Sequence, residues 1–364
     1  MRWSFVIAKV FGIPIRLHLT FLGFLLFIFL VNAVRGGIHS ADYGLLFIIA
    51  IFVSVTIHEF GHSLVARSYG IAVKDITLLP IGGVSRIERL PEEPKQELRI
   101  AITGPLVSFG IALVLFLIIF AISGIKGFSG FSLVGGKFLP NLMWVNVMLG
   151  IFNILPGFPM DGGRVFRAIL AQRIGFAEAT RIAASVGQVF AILLGIIGLF
   201  FNIWLVFIAF FIYIGAGEEE RAVQLRSVLR KISVAQVMAT NFQKLLPEET
   251  LRKALEYIYH GFQEDFPVVR ENEIVGVLTK NEILSALHKL GLDTKVSDVM
   301  RKDFIAVNPN QMLTEVYEQI KSCGCSSLPV VKSNELLGII TLEAIGRFFM
   351  FESAQKDYLA HQKK

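Results

Sequence analysis

Over its first 217 residues the chain alternates long apolar runs with short polar breaks; from Glu218 onward the runs shorten and charges become dense. Residues 17–34 and 44–69 are the first two runs, separated by the turn signal Arg35-Gly36-Gly37. Residues 98–122, 141–155, 177–200 and 203–217 are the others, with a shorter helical stretch at 163–174. A bilayer core of about 30 Å takes about 20 helical residues at 1.5 Å each. The pattern predicts an α-helical polytopic membrane protein with six transmembrane helices. Between the second and third runs the period changes. Residues 71–78 and 84–90 are β-branched and partly alternating, with Leu79-Pro80-Ile81-Gly82-Gly83 between them. They predict short strands around a glycine turn, a small membrane-associated β-hairpin or sheet. Residues 1–16 are amphipathic and basic, Pro14 ends the segment, and no small-residue cleavage site follows soon. No cleaved signal peptide is expected.

The second run carries His58-Glu59-Phe60-Gly61-His62. Residues four apart share a helix face, about 6 Å apart along the axis. His58 and His62 therefore offer two imidazoles to one zinc ion, with Glu59 beside them to take a proton from a water at the metal. Ionisable residues inside a span cost roughly 2.5–3.5 kcal/mol each on the mildest scale. Three together, with no Lys or Arg between Arg35 and Arg67, call for a metal or a mechanism. The fourth run ends in Asn153-Ile154-Leu155-Pro156-Gly157-Phe158-Pro159-Met160-Asp161-Gly162-Gly163. These prolines and glycines break the helix at membrane depth, which is tolerated only where backbone is buried in protein or lines a wet cavity. A catalytic zinc takes three protein ligands and keeps one open position. Asp161 is the candidate third ligand; capping the next helix is the other role open to it.

Composition agrees with this pattern. The 364 residues are 54% hydrophobic, and the mean hydropathy of +0.63 lies well above that of a soluble domain. Basic residues gather in 1–16, 74–99, 164–181 and 221–231, against Arg35, Lys126 and Lys137 on the other side. The positive-inside rule then puts both termini in the cytosol and the metal site toward the cytosolic leaflet of the cell membrane. The net charge of +6 is accounted for by these flanking residues, so no nucleic-acid partner is expected. Cys323 and Cys325 lie in the charged half, and their spacing predicts reduced thiols.

That half repeats itself at one constant offset. Ala235-Gln236-Val237-Met238 recurs as Ser297-Asp298-Val299-Met300, Phe266-Pro267-Val268-Val269 as Leu328-Pro329-Val330-Val331, and Gly276-Val277-Leu278-Thr279 as Gly338-Ile339-Ile340-Thr341. Two α+β units of this size are expected to pack as one cytosolic domain.

On the two motifs and the Pro80-Ile81-Gly82-Gly83 stretch between them, residues 1–217 resemble the site-2 protease family of intramembrane zinc metalloproteases. The resemblance implies one Zn2+ on His58, His62 and Asp161, and Glu59 as general base. It implies Asn153 holding substrate or the oxyanion, and the strand at Gly82 and Gly83 pairing with an unwound transmembrane protein substrate. Such substrates are commonly membrane-tethered regulators. Residues 233–352, with repeats at 233–290 and 295–352, resemble a tandem CBS pair. Residues 218–232 are read as a linker and 353–364 as a tail. The second resemblance implies an adenine nucleotide between the repeats, a regulatory role, and a candidate homodimer contact. Such pairs grip ribose with Thr or Ser followed three positions later by Asp. This chain has Thr279 with Glu282 and Thr341 with Ala344, so both positions depart from that pattern. CBS pairs also hang from divalent metal transporters, in which His58, His62 and Asp161 would carry the transported ion. Glu59 separates the two readings.

Overall fold

The computed structural model describes residues 3–362 apart from 88–90, 92, 129–136, 231, 262, 272 and 334. Its contacts divide the chain into two units, Met1–Arg221 and Ala222–Lys364.

The first unit opens with a hairpin. β1 (Ser4–Val10) pairs antiparallel with β2 (Ile13–His18), and the turn residues Phe11 and Gly12 both have positive φ. The amphipathic opening segment is therefore two strands. Ile13 and Ile15 are buried while Pro14 and Arg16 are half-exposed, a period-two signal only three residues long. α1 (Leu19–Ser68) follows, with His18 accepting a hydrogen bond from the Thr20 N–H at its start. It is kinked at Gly37, where φ is 74° and ψ −178°, so the two apolar runs are two arms of one element that breaks at the expected turn.

β3 (Val73–Leu79) and β4 (Gly82–Ile87) occupy the expected strand positions; residues 88–90 of the second predicted strand lie outside the described residues. The sheet is larger than a hairpin: its order is β1-β2-β3-β4, with β2 and β3 parallel. A parallel pair needs a crossover, and α1 supplies it. Ile13, Ile15, Ile76 and Leu78 from the sheet and Phe21, Phe52 and Phe60 from α1 form the core between them.

Asp75 on β3 is buried and holds two of the sheet's basic residues, Arg16 and Arg86. It accepts from Arg86 and from Thr77 Oγ1, and Arg16 Nε lies 3.3 Å away. Burial raises its carboxyl, but the hydrogen bonds from Arg86 and Thr77 and the charges of Arg86 and Arg16 outweigh burial and hold it below the usual range. A carboxyl depressed in the folded state stabilises above its unfolded value of about 3.9 and loses that contribution as pH falls through the folded value. The thermal midpoint of the chain should therefore fall less steeply with acidification below about pH 4 in Asp75→Asn than in the parent. Equal slopes would contradict this assignment.

α2 (Pro94–Ser123) begins with Pro94 in its first turn, where the missing N–H costs nothing, and continues through Pro105. α3 (Phe138–Ile154), α4 (Asp161–Ile174), α5 (Phe176–Phe201) and α6 (Ile203–Leu229) complete the helices of this half. Among the described residues, α1, α2 and α5 are long and apolar enough to cross a membrane, and α3 is a shorter apolar helix. The apolar part of α6 stops at Glu218-Glu219-Glu220, while the helix itself runs on through most of the residues read as linker.

The second unit is α+β, as expected. α7 (Leu251–His260), β5 (Phe266–Arg270), β6 (Glu273–Leu278), α8 (Lys280–Lys289) and α9 (Val296–Val299) precede α10 (Leu313–Cys323), β7 (Ser327–Lys332), β8 (Glu335–Thr341) and α11 (Leu342–Gln362). One antiparallel sheet runs β5-β6-β8-β7. Equivalent positions of the repeats fill equivalent core sites: Leu251, Phe266, Val268 and Leu278 in one core, Leu313, Leu328, Val330 and Ile340 in the other. The opening segments are exchanged, Val234 packing in the second core and Val296 in the first. Asp265 ties the halves together, accepting from the backbone N–H groups of Lys280, Ser326 and Ser327. One expectation is corrected: Cys323 and Cys325 form a disulfide. Left-handed Gly324 (φ 65°) reverses the chain after α10 and brings the two Cα atoms to 5.3 Å, within bonding range.

Candidate metal centre

α1 presents His58 and His62 one turn apart, both buried. Asp161 is the first residue of α4, and Met160, not Asp161, occupies the cap position. Its carboxylate is directed at the histidines, where the positive end of the α4 dipole also favours an anion. Asp161 Oδ2 lies 3.2 Å from His58 Nε2 and 3.1 Å from His62 Nε2, and the two Nε2 atoms are 3.2 Å apart. A tetrahedral zinc with bonds of about 2.0–2.1 Å separates its ligand atoms by about 3.3 Å. The donor set fits one such ion, and it is the only His, Cys, Asp or Glu group of this kind among the described residues.

The far sides of both rings are held by α2. His62 Nδ1 lies 2.7 Å from the Ile100 carbonyl oxygen, which only accepts; Nδ1 therefore carries the proton and Nε2 presents its lone pair to the centre. His58 Nδ1 is 2.9 Å from the buried Ser108 hydroxyl. The contacts run in opposite order along the two helices, so α1 and α2 are antiparallel here. Between them sits Gly104. A Cβ there would lie 2.1 Å from His62 Nε2 and 2.6 Å from His58 Nε2. On α3, Asn146 donates to the Ser54 hydroxyl at 3.2 Å, one turn before His58.

Glu59 is half-buried beside the pair. β4 lies against it: a Cβ on Gly83 would come within 3.1 Å of Glu59 Cγ and 3.0 Å of Val55 Cγ1. The Ser63 and Ser85 hydroxyls, 2.8 Å apart, join β4 to α1. Among the described residues β4 pairs only with β3, so the sheet edge next to Glu59 is open. Asn153 is half-buried in the last turn of α3, at the far end of the broken stretch from Asp161.

Behind α4 lies a buried ionic cluster that no motif announced. Arg167 is fully buried; it donates to Glu97 Oε1, to Glu219 Oε1 at 3.1 Å and to Thr180 Oγ1 at 3.5 Å. Its guanidinium stacks between the rings of Phe158 and Phe176 at 4.7 and 4.5 Å. It thereby pins the stretch leading into Asp161 against α2, α5 and α6. Removing one partner of a buried ion pair strands the other charge and costs about 3–5 kcal/mol. Arg167→Ala should lose that much stability, and Arg167→Lys should recover little because a single ammonium cannot reproduce the fork. A thermal midpoint unchanged in Arg167→Ala would contradict this role.

The nucleotide candidates lie in the second unit. Thr279 lines a cavity of about 210 Å³ with Arg301, Asp303, Cys323 and Cys325. Its hydroxyl donates to Glu282, whose other oxygen accepts from Arg301 Nη2 at 2.6 Å. Thr341 is not part of that wall; its hydroxyl accepts from the Ala344 N–H at 3.0 Å.

Comparison with known proteins follows the same division. Residues 46–137 and 135–194 match peptidase family M50, and residues 234–289 and 296–350 match the CBS domain. A zinc metalloprotease of Methanocaldococcus jannaschii is 36% identical over 94% of this chain and 94% of its own length. This chain belongs to peptidase family M50. Stage IV sporulation protein FB of Bacillus subtilis is 24% identical over 66% of this chain and 83% of its own. The solved site-2 protease of Methanocaldococcus jannaschii is 40% identical, with a TM-score of 0.45, over 60% of this chain and 95% of that one. The M50 chain is thus a zinc metalloprotease with a tandem CBS pair.

Proposed function

We propose that this M50 protease hydrolyses a peptide bond within or near a transmembrane helix of a membrane-bound regulatory protein. The observation that carries the reading is the convergence of His58 Nε2, His62 Nε2 and Asp161 Oδ2 within 3.2 Å of one another, the histidines from the apolar second arm of α1 and the aspartate from the start of α4, just after the apolar α3. In this reading those three residues hold the zinc. Zinc, when bound, acidifies a water and polarises the scissile carbonyl. Glu59 takes the proton from the attacking water on a carboxylate oxygen and delivers it to the leaving amide nitrogen. Asn153 donates from its side-chain amide to the developing oxyanion.

A helical substrate has all its backbone groups paired and must unwind before its peptide bond can be attacked. The open edge of β4 at Gly82 and Gly83, beside Glu59, takes the freed strand by β-addition. Six spans with both termini in the cytosol place this edge and the metal toward the cytosolic leaflet; the kinked α1 would supply two of them. The layout read from the sequence, with a protease domain over 1–217 and a sensor over 233–352, puts the CBS pair on the same side. There it acts as a nucleotide-sensing regulator through Thr279, Glu282 and Thr341, biasing open and closed states by its differential affinity for them.

Purified chain in lipid vesicles, incubated with membrane-spanning peptides, should cleave them, stop when zinc is chelated, and resume on zinc addition. Zinc flux across the vesicle wall without cleavage would favour the transport reading.

A further inference from the structure

The metal centre occupies one face of the second arm of α1. On the opposite face lies a second feature, an apolar groove of about 720 Å³ between that arm, the first arm of α1 and the β1–β2 hairpin. Val53, Ile57 and Gly61 form its floor, Phe21 and Leu25 one wall, and Val10 on the hairpin the other. Its one polar wall residue, Thr56, donates its hydroxyl proton to the Phe52 carbonyl at 2.6 Å and so has no donor left for a ligand. An apolar groove of this size, with almost no polar lining, favours an apolar occupant.

The hairpin above it is unusual for a sheet edge. Six of the seven β1 residues are exposed, and Trp3, Val6 and Phe11 are 67%, 51% and 69% exposed. Exposed apolar edge strands in water invite aggregation, so such a surface signals a partner. The hydrocarbon core itself does not tolerate an open edge. The headgroup layer satisfies both demands, since it wets the edge and contacts the apolar side chains, and Trp is enriched there. The surface is continuous with α1, whose Leu22, Leu26 and Leu30 carry the apolar exposure on from the hairpin's last residue. Lys9, next in sequence to the groove-lining Val10, supplies an exposed cation on β1.

We infer that the hairpin lies in the headgroup layer and that the groove holds one hydrocarbon chain of a membrane phospholipid, against the helical turns that bear His58, Glu59 and His62. The inference rests on the membrane-embedded arrangement proposed above.

The test uses the full chain in phosphatidylcholine vesicles doped with phosphatidylglycerol that carries a diazirine near the end of one acyl chain. After photolysis, adducts should concentrate on the peptides covering residues 6–25 and 49–61, ahead of the equally apolar surface of α5. Val53→Trp, which fills the floor, should reduce those adducts by about tenfold, the loss expected when most apolar contact is excluded. Val10→Trp fills the groove from the hairpin and should do the same if Val53→Trp fails to fold, with zinc content as the folding check. Adducts spread evenly over all apolar helices, or unchanged by the folded variants, would overturn the inference. So would displacement of the label by a membrane-spanning peptide, which would assign the groove to substrate. A chain that does not reconstitute at all counts against the membrane arrangement, whereas even labelling of a reconstituted chain counts against the groove alone.

Discussion

Glu59→Gln should leave zinc bound and reduce cleavage of a membrane-spanning peptide by about 10²–10⁴-fold, the range assigned to a positioned general base. The substitution keeps the size of the side chain and removes its proton-accepting oxygen charge. The three converging atoms belong to His58, His62 and Asp161, so zinc content measured on the purified variant should match the parent. The substituted amide would still lie against β4 at Gly83, so substrate binding should change little and the loss should appear in kcat. Cleavage near the parental rate would remove Glu59 from the mechanism. Loss of zinc would make it a ligand instead.

Gly104→Ala should abolish zinc binding and activity together. The added methyl would stand 2.1 Å from His62 Nε2 and 2.6 Å from His58 Nε2, closer than any real Cβ contact. Neither imidazole has freedom to retreat, because His62 is tied to the Ile100 carbonyl and His58 to the Ser108 hydroxyl. Relief must come from parting α1 and α2 or rotating the rings, and either separates the donors from Asp161. Lost outer-shell orientation alone costs about 10–100-fold in metal affinity, and overpacking adds about 1–3 kcal/mol of instability. Gly110→Ala serves as the control, since a Cβ there meets nothing within 4 Å; it should keep its zinc and gain up to about 1 kcal/mol of helix propensity. Normal zinc content in Gly104→Ala would show that the helices do not approach as described.

The candidate ligand triad was legible because each member breaks an apolar rule: two histidines four apart in a run without countercharge, and an aspartate after a proline- and glycine-broken helix end. What surrounds them was not. Ser108 and Gly104 are small residues in an apolar helix, and only the successive steps of four from Ile100 to Gly104 to Ser108 mark a shared face. Arg167 looked like a charge flanking a span, whereas the fold buries it against Glu97, far away in sequence. The repeat in the second unit was visible residue by residue, but the exchange of the opening segments, Val234 with one core and Val296 with the other, leaves no local trace. The N-terminal hairpin escaped notice because β1 is exposed on both faces and so lacks the alternation that reveals a strand. The disulfide escaped because it depends on Gly324 adopting left-handed φ, a backbone event that spacing does not encode.

Zinc K-edge X-ray absorption on the full chain in lipid tests the centre most directly. Two imidazole nitrogens and carboxylate oxygen at about 2.0–2.1 Å, reduced to a single imidazole in His62→Ala, is the expected spectrum. Sulfur scattering at about 2.3 Å, or a spectrum unaltered by His62→Ala, would place the metal elsewhere and contradict the account.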